Sequence, residues 1–298
     1  MSTESSFDME TCNNDCKEES QKLPIKTMKL YSNIDRIEKE LQYMGYSESS
    51  ALSQDILSRF DSMHYNGDEA IQAALDVAQK SPCKILDVGS GFGGSARYMA
   101  SRGHQVVALE LQKDVHNKAV HLSERCNLSL KVKHINGDIL QTGHEKWRSP
   151  RQYDLLTSFL VFLHINDKQL LMETCASKVK KGGTIFIEDF YKRNEFSSEE
   201  SVMLSRDIYC ESKTLLTKKE YIASLEIAGF TDIHFVEKTV DWAFFVSDRK
   251  RAFVTGRDRF VSVHGSEAYS SLLHFYNAMD VLFKGSSLGG VRIYARKK

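Results

Sequence analysis

The chain has no excess charge of either sign. Lys and Arg together number 40, and Asp and Glu also number 40, so the formal net charge is zero. A balanced chain with no basic stripe argues against nucleic acid as a partner. Cysteine is also sparse, with six residues scattered along the chain. That density excludes a disulfide scaffold, and Cys12 and Cys16 lack the further Cys/His pair of a structural zinc site. No metal is expected, and reduced thiols in a cytoplasmic protein are. Long apolar runs are missing too. The most apolar stretch, Leu155 to Leu163, is too short to span a bilayer, so no membrane span is expected. Met1 to Glu19 is polar and acidic, unlike a signal peptide or an Arg-rich transit peptide. It reads as a disordered acidic tail over residues 1–22.

What remains is a 298-residue chain, 41% apolar, with enough material for one large α/β domain and its appendages. Leu30, Ile34, Ile37, Leu41 and Met44 recur at helical spacing, which predicts a helix over Thr27 to Tyr46 ending at Gly45. A shorter helix is expected over Ser50 to Arg59, and another over Glu69 to Gln79, capped by Asp68. Residues 23–80 therefore read as an N-terminal helical cap. Strand and helix signals then alternate. Strands are expected at Lys84–Val88, Gln105–Glu110, Ser129–Ile135, Tyr153–Phe159 and Thr184–Asp189, the last introduced by a turn at Lys180–Gly183. Helices are expected at Gly94–Ser101, Lys113–Cys126 and Lys168–Lys178. This alternation predicts a parallel sheet covered on both faces, with ligands beyond the carboxyl ends of its strands. Later come a helix over Thr217 to Ala228 with capping-box spacing to Glu220, and a strand over Thr231–Glu237. An aromatic-rich helical insertion follows at about 241–285, and a last strand at Gly289–Arg296.

The most informative segment is Lys84-Ile-Leu-Asp-Val-Gly-Ser-Gly-Phe-Gly-Gly-Ser95, in which a buried-strand run meets a glycine cluster and then a helix start. Glycines let the backbone turn sharply beside a ligand, and the new helix offers unpaired N–H groups. Glu110 lies about 20 residues on, at a strand end, where an acid binds ribose hydroxyls. Gly137-Asp138-Ile139 follows the third strand: Asp138 is placed to accept from an adenine amine, and Ile139 to pack on its ring. The fourth strand ends at Ser158, where substrate chemistry is expected.

Together these motifs resemble the class I S-adenosylmethionine-dependent methyltransferases, firmly over about residues 83–190 and loosely beyond. The resemblance implies a Rossmann-like seven-stranded sheet with an antiparallel final strand, so that residues 81–298 form the cofactor-binding domain. It implies S-adenosyl-L-methionine as cofactor, held by Asp87, Gly89, Ser90, Gly91, Gly93, Glu110, Leu111, Asp138, Ile139 and Ser158.

Within the class, the chain is most similar to the phosphoethanolamine N-methyltransferases, with echoes of sarcosine/dimethylglycine and sterol methyltransferases. The residues that carry this are Gly89 to Gly94, Ser158 to His164, Ile187 to Phe190 and Leu215 to Tyr221. The resemblance implies a small-molecule methyl acceptor, with an amine nitrogen favoured. It implies a catalytic pair at Tyr31 and His164. His64 in the connector is a second candidate base. Each residue also has a structural reading, as a helix-packing Tyr or as a His tied to a carbonyl. The family's acidic partner falls on Leu160, and its phosphate-contacting tyrosines fall on Phe190, Lys213 and Tyr221, only the last of which is still Tyr. Phosphoethanolamine itself is therefore a doubtful substrate. Trp242, Phe244, Phe245, Phe275 and Tyr276 are candidates to line the acceptor pocket. C-methylation of a sterol or prenylated ring, and a non-catalytic cofactor-binding scaffold, remain alternatives. The chain is expected to be a monomer or homodimer.

Overall fold

A computed structural model describes residues 34–61, 64–141 and 152–298. The acidic tail and Tyr31 lie outside the described residues. In the cap, α1 (Arg36–Tyr43) buries Ile37 and Leu41, and Gly45 follows it at a positive φ. The next helix, α2 (Gln54–Leu57), is shorter than its sequence promised. The Leu52 N–H bonds the Arg125 carbonyl, holding the chain extended until Ser53 caps Ile56. The third, α3, covers Asp68–Asp76. Asp68 does not cap it; Gly67 occupies that position at φ 51°, with no side chain to bond.

The sheet follows the alternating pattern. Its strands are β1 (Lys84–Val88), β2 (Gln105–Glu110), β3 (Val132–Asn136), β4 (Tyr153–Phe159), β5 (Val179–Lys192), β6 (Phe230–Glu237) and β7 (Leu288–Lys297). They lie in the order β3-β2-β1-β4-β5-β7-β6, with β7 antiparallel to both neighbours. β3 starts later than expected because Leu128 to Lys131 makes a turn. The expected turn at Lys180–Gly183 is an excursion within β5: the pairing jumps from Tyr153↔Val179 to Leu155↔Thr184. Alternate residues of each strand feed opposite cores. Leu86, Leu156 and Ile185 face one side, and Ile85, Leu155 and Phe186 the other. The helices α4 (Gly94–Ser101), α5 (Lys113–Arg125), α6 (Lys168–Lys178) and α8 (Lys218–Ile227) flank the sheet. The Thr217/Glu220 capping box forms as its spacing predicted. A second box at Ser197/Glu200, unread in the sequence, opens α7 (Ser198–Met203), which runs on into a π turn over Leu204–Ile208.

The late insertion is three helices between β6 and β7: α9 (Thr239–Thr255), α10 (Arg257–His264) and α11 (Ser266–Lys284). Three arginines fasten the cap to the body. Arg97 pairs with Asp61 at 2.6 Å, both fully buried. Arg125 pairs with Glu38 at 3.1 Å. Arg292 reaches Glu69 through two bonds of 3.0 Å. Strand order reverses between β1 and β4, so a crevice opens at their carboxyl ends. Among the described residues, no helix is long and apolar enough to cross a membrane.

Candidate active site

At that crevice β1 turns through Gly89, Gly91 and Gly93, all at positive φ. Two of these glycines make room for protein. A Cβ on Gly89 would overlap the Val161 side chain, and one on Gly93 would lie 2.9 Å from Arg97 Nη1. Asp87, expected beside the cofactor, is 1% exposed and accepts from Ser95 Oγ at 2.5 Å and Thr157 Oγ1 at 2.8 Å. Burial pushes its pKa up to about 6. It ties β1 to α4 and β4 and so holds the turn.

Glu110 stands against the turn. Its Oε2 accepts the Gly91 N–H at 3.0 Å and its Oε1 the Gln112 N–H at 2.8 Å. Burial raises its pKa. Asn136 donates to the Glu110 and Leu111 carbonyls, each at 2.9 Å, and Gly137 N–H donates to the Glu110 carbonyl. Asp138 accepts the Leu140 N–H at 2.9 Å, which fixes the turn after β3. The ends of β2 and β3 thus bring Glu110 and Asp138 together. Leu111 beside them is a large apolar side chain left 53% exposed, whereas Ile139 is 5% exposed and mostly core.

Three observations test this crevice for an adenosyl amino acid. The buried hydroxyls of Ser90 and Ser158 have no partner among the described residues. The N-terminus of α4 has no side-chain cap and no acid of its own in the first turn, although the Asp61 carboxylate, paired with Arg97, packs against Gly94 there. Glu110 keeps lone pairs for a ribose diol, with exposed Leu111 beside it for an apolar ring. The residues fit S-adenosyl-L-methionine: Glu110, Leu111, Asp138 and Ile139 at the nucleoside end, the Ser90–Gly93 turn and Ser158 toward the amino-acid end.

A cavity of about 870 Å³ lies under the cap and the insertion helices. Its floor includes Leu160, Leu163, His164 and Phe190, at the ends of β4 and β5. His164 sits in a 3-10 turn over Phe162–His164, with Nδ1 3.0 Å from the Tyr209 carbonyl. A carbonyl only accepts, so Nδ1 carries the proton and Nε2 keeps its lone pair. Burial lowers the His164 pKa to about 4, leaving the ring neutral. Lys168 Nζ pins this turn by donating to the Phe162 and Ile165 carbonyls at 2.6 and 2.7 Å. Asp189 accepts the Phe190 N–H at 2.7 Å, and burial raises its pKa to about 7. His64 lines the same cavity. Its Nε2 lies 3.0 Å from the Gly67 carbonyl, its ring is 4.9 Å from Phe159, and burial lowers its pKa to about 4. The fold therefore brings the two candidate histidines to one space.

A family profile described as "Methyltransferase domain" matches residues 62–244. The chain belongs to this methyltransferase-domain family. Among curated relatives, a rice protein named probable tocopherol O-methyltransferase is 30% identical over 184 residues, 58% of this chain and 48% of that one. A wheat phosphoethanolamine N-methyltransferase is 26% identical over 256 residues, 84% of this chain and 48% of that one. The chain thus spans about half the length of these relatives. Among solved structures, Haemonchus contortus phosphoethanolamine N-methyltransferase 2, with phosphomonomethylethanolamine and S-adenosylhomocysteine, superposes with TM-score 0.71 at 20% identity. That match covers 86% of this chain and 59% of that one, and it shows a shared fold.

Within this methyltransferase frame, several expected acceptor residues lie elsewhere. Leu160 and Phe190 line the cavity. Tyr221 does not; it is 1% exposed and packs in the core with Leu225 and Phe230, because α8 turns it onto the sheet. Lys213 points to solvent and pairs with Glu211 at 3.1 Å. Trp242 is fully buried in a slot that exists because Gly290 has no side chain, and it stacks on Tyr65 at 4.4 Å. Tyr65, not Trp242, faces the cavity. Phe245, Phe275 and Tyr276 line it as expected, whereas Phe244 is 68% exposed. Sequence reasoning missed Phe253 and Phe260. Phe245, Arg249, Ala252 and Phe253 do share one face of α9 by spacing, but only the docked helix shows that this face lines a cavity.

Proposed function

We propose that the chain transfers a methyl group from S-adenosyl-L-methionine to an amine nitrogen of a small-molecule acceptor. When bound, the sulfonium cofactor supplies an electrophilic methyl group. Glu110 and Asp138 hold the nucleoside, and the pinned β4 end carries the acceptor-side machinery. An amine attacks with its lone pair and then releases a proton. His164 Nε2 is a neutral acceptor for that proton, and the observation that carries the reading is the Nδ1 bond to Tyr209 that fixes this tautomer. The surrounding wall is largely aromatic, which leaves alignment as the main contribution to rate.

C-methylation through a carbocation needs a carboxylate in the apolar part of the cavity. Glu188 instead bonds Arg292 at 2.7 Å, Asp189 accepts the Phe190 N–H at 2.7 Å, and Asp241 pairs with Lys238 at 3.0 Å, and none of the three lines the cavity; of the two acids that do, Glu40 is held by Arg259 and His264 and Glu267 is solvent-exposed. That favours nitrogen over carbon. A phenol oxygen is the nearest competitor, since the rice relative is named an O-methyltransferase. We also place the protein in the cytoplasm, consistent with free Cys83, Cys126, Cys175 and Cys210. The test is calorimetric titration with S-adenosylmethionine and S-adenosylhomocysteine, followed by methylation assays on amine, phenol and sterol panels. Binding with a methylated amine supports the proposal. A phenol or sterol product moves the acceptor class, and binding without any product favours the scaffold reading.

A further inference from the structure

The rim of the cavity carries more positive charge than its neighbours neutralise. Lys39 on α1, Arg59 after α2 and Arg249 on α9 all line it. None of the three forms an ion pair or hydrogen bond with another side chain among the described residues. Two acids line the same space, Glu40 and Glu267. Glu40 is already committed: it pairs with Arg259 and accepts from His264 Nε2 at 2.8 Å. That leaves three uncommitted cations facing one uncommitted acid. Below the rim the wall is aromatic and aliphatic, built by Tyr65, Phe190, Phe253, Phe275 and Met279. Of the three histidines that line it, His64 and His164 are neutral near pH 7, and His264 is bonded to Glu40.

Resting on the methyl-transfer reading, we propose that the acceptor is an amphiphile whose apolar body fills this cavity and whose anionic group is held at the rim by Lys39, Arg59 and Arg249. The size argues for bulk. About 870 Å³ is comparable to a pocket for a drug-sized ligand, far beyond a few-atom metabolite. The charge argues for an anion. Uncommitted cations on converging elements raise the local concentration of negative ligands and repel a ligand whose only charge is positive. Arginine forks take carboxylate and phosphate through paired bonds, and lysine supplies a point charge. The positions are also new. Phe190, Tyr221 and Lys213, where the family resemblance implies phosphate contacts, offer the cavity no donor here: a phenyl ring, a core tyrosine and a solvent-facing lysine.

Binding tests this without turnover, so a failure of the methyl-transfer reading leaves the result intact. The full chain is titrated with decyl phosphate, decanoate, decanol and decyltrimethylammonium, each below its micelle concentration. The two anions should bind more tightly than decanol, with decyltrimethylammonium weakest. Arg59→Gln and Arg249→Gln should each weaken anion binding about tenfold and leave decanol unchanged. Both residues are surface-exposed, so the variants should fold, and an unchanged melting temperature verifies it. Preference for one anion identifies the headgroup as carboxylate or phosphate. Equal affinity for all four probes, tighter binding of the cation, or anion binding unmoved in both variants would overturn the proposal.

Discussion

His164 faces the cavity as a neutral ring, and this has a kinetic consequence. Its pKa is lowered to about 4 by burial, against 6.5 for a free His. In the proposed role as proton acceptor the productive form is the unprotonated one, so this ring would not limit rate until the pH falls well below 6. The acid limb of kcat/KM assigned to the enzyme should therefore lie near pH 4 to 5; a limb at 6.5 would mean that the site is wetter than its burial indicates. His164→Ala should lower kcat by about 100-fold and leave S-adenosylhomocysteine affinity unchanged, as titration would show. The same shift also affects stability. The unfolded chain binds protons at His64 and His164 from about pH 6.5 downward, and the folded chain only near 4. Their contribution is thus fully present above 6.5 and is lost as pH falls toward 4. Asp87, with a raised pKa of about 6, opposes this, since its protonation stabilises the fold over the same range. His164→Gln should therefore flatten the acid side of the stability profile. Glu110→Ala should weaken cofactor binding by about 1–3 kcal/mol, read by calorimetry.

At the scale of elements, the cap is fastened by charge inside the protein. Arg97 leaves α4 and meets Asp61 after α2, with Gln54 Oε1 accepting from Nε at 3.1 Å. Both partners are fully buried, so removing one leaves an unpaired charge. Arg97→Met should cost about 3–5 kcal/mol, and adding Asp61→Leu should recover much of it in denaturant melts. An additive double mutant would deny the coupling. The sequence showed the helices on either side of this pair but not the pair itself, because 36 residues separate its members. A second fastening joins α1 to α10 through Glu40, Arg259 and His264. Arg259 is half exposed, so Glu40→Gln should cost only about 1 kcal/mol globally. Its larger effect should be local: faster amide exchange in α1 and a higher KM for the acceptor.

The whole molecule has two sides, with the crevice at the carboxyl ends of the strands and the cavity proposed for the acceptor between cap and insertion. A ligand that binds only the folded chain stabilises all of it. S-adenosylhomocysteine at a hundredfold excess over its Kd should add about 2.7 kcal/mol and raise Tm by several degrees. Loss of that shift in Glu110→Ala, with the unliganded Tm retained, would separate binding from folding. Gly290→Ala should act on the unliganded fold, because its Cβ would overlap Trp242. Overpacking of this kind costs about 1–3 kcal/mol in chemical denaturation.

The sequence determined the parts of this protein that depend on near neighbours. β1, β2 and β4 occupy the residues that their apolar runs marked, and the glycine turn, Glu110 and Asp138 follow at the ends of successive strands. Periodicity and the Thr217/Glu220 box act over a few residues and were read directly, although Asp68 does not cap α3 and the Ser197/Glu200 box went unread. Tertiary structure decided which side chains share the cavity. Tyr221 and Trp242 carry the chemistry expected of a site but were drawn into the core by α8 and by the slot at Gly290. Lys39, Arg59 and Arg249 resemble ordinary surface charge in the sequence and meet at one rim only when α1, the turn after α2, and α9 converge. The direction a side chain faces is set by packing between segments far apart in the chain, and local pattern carries no record of that packing.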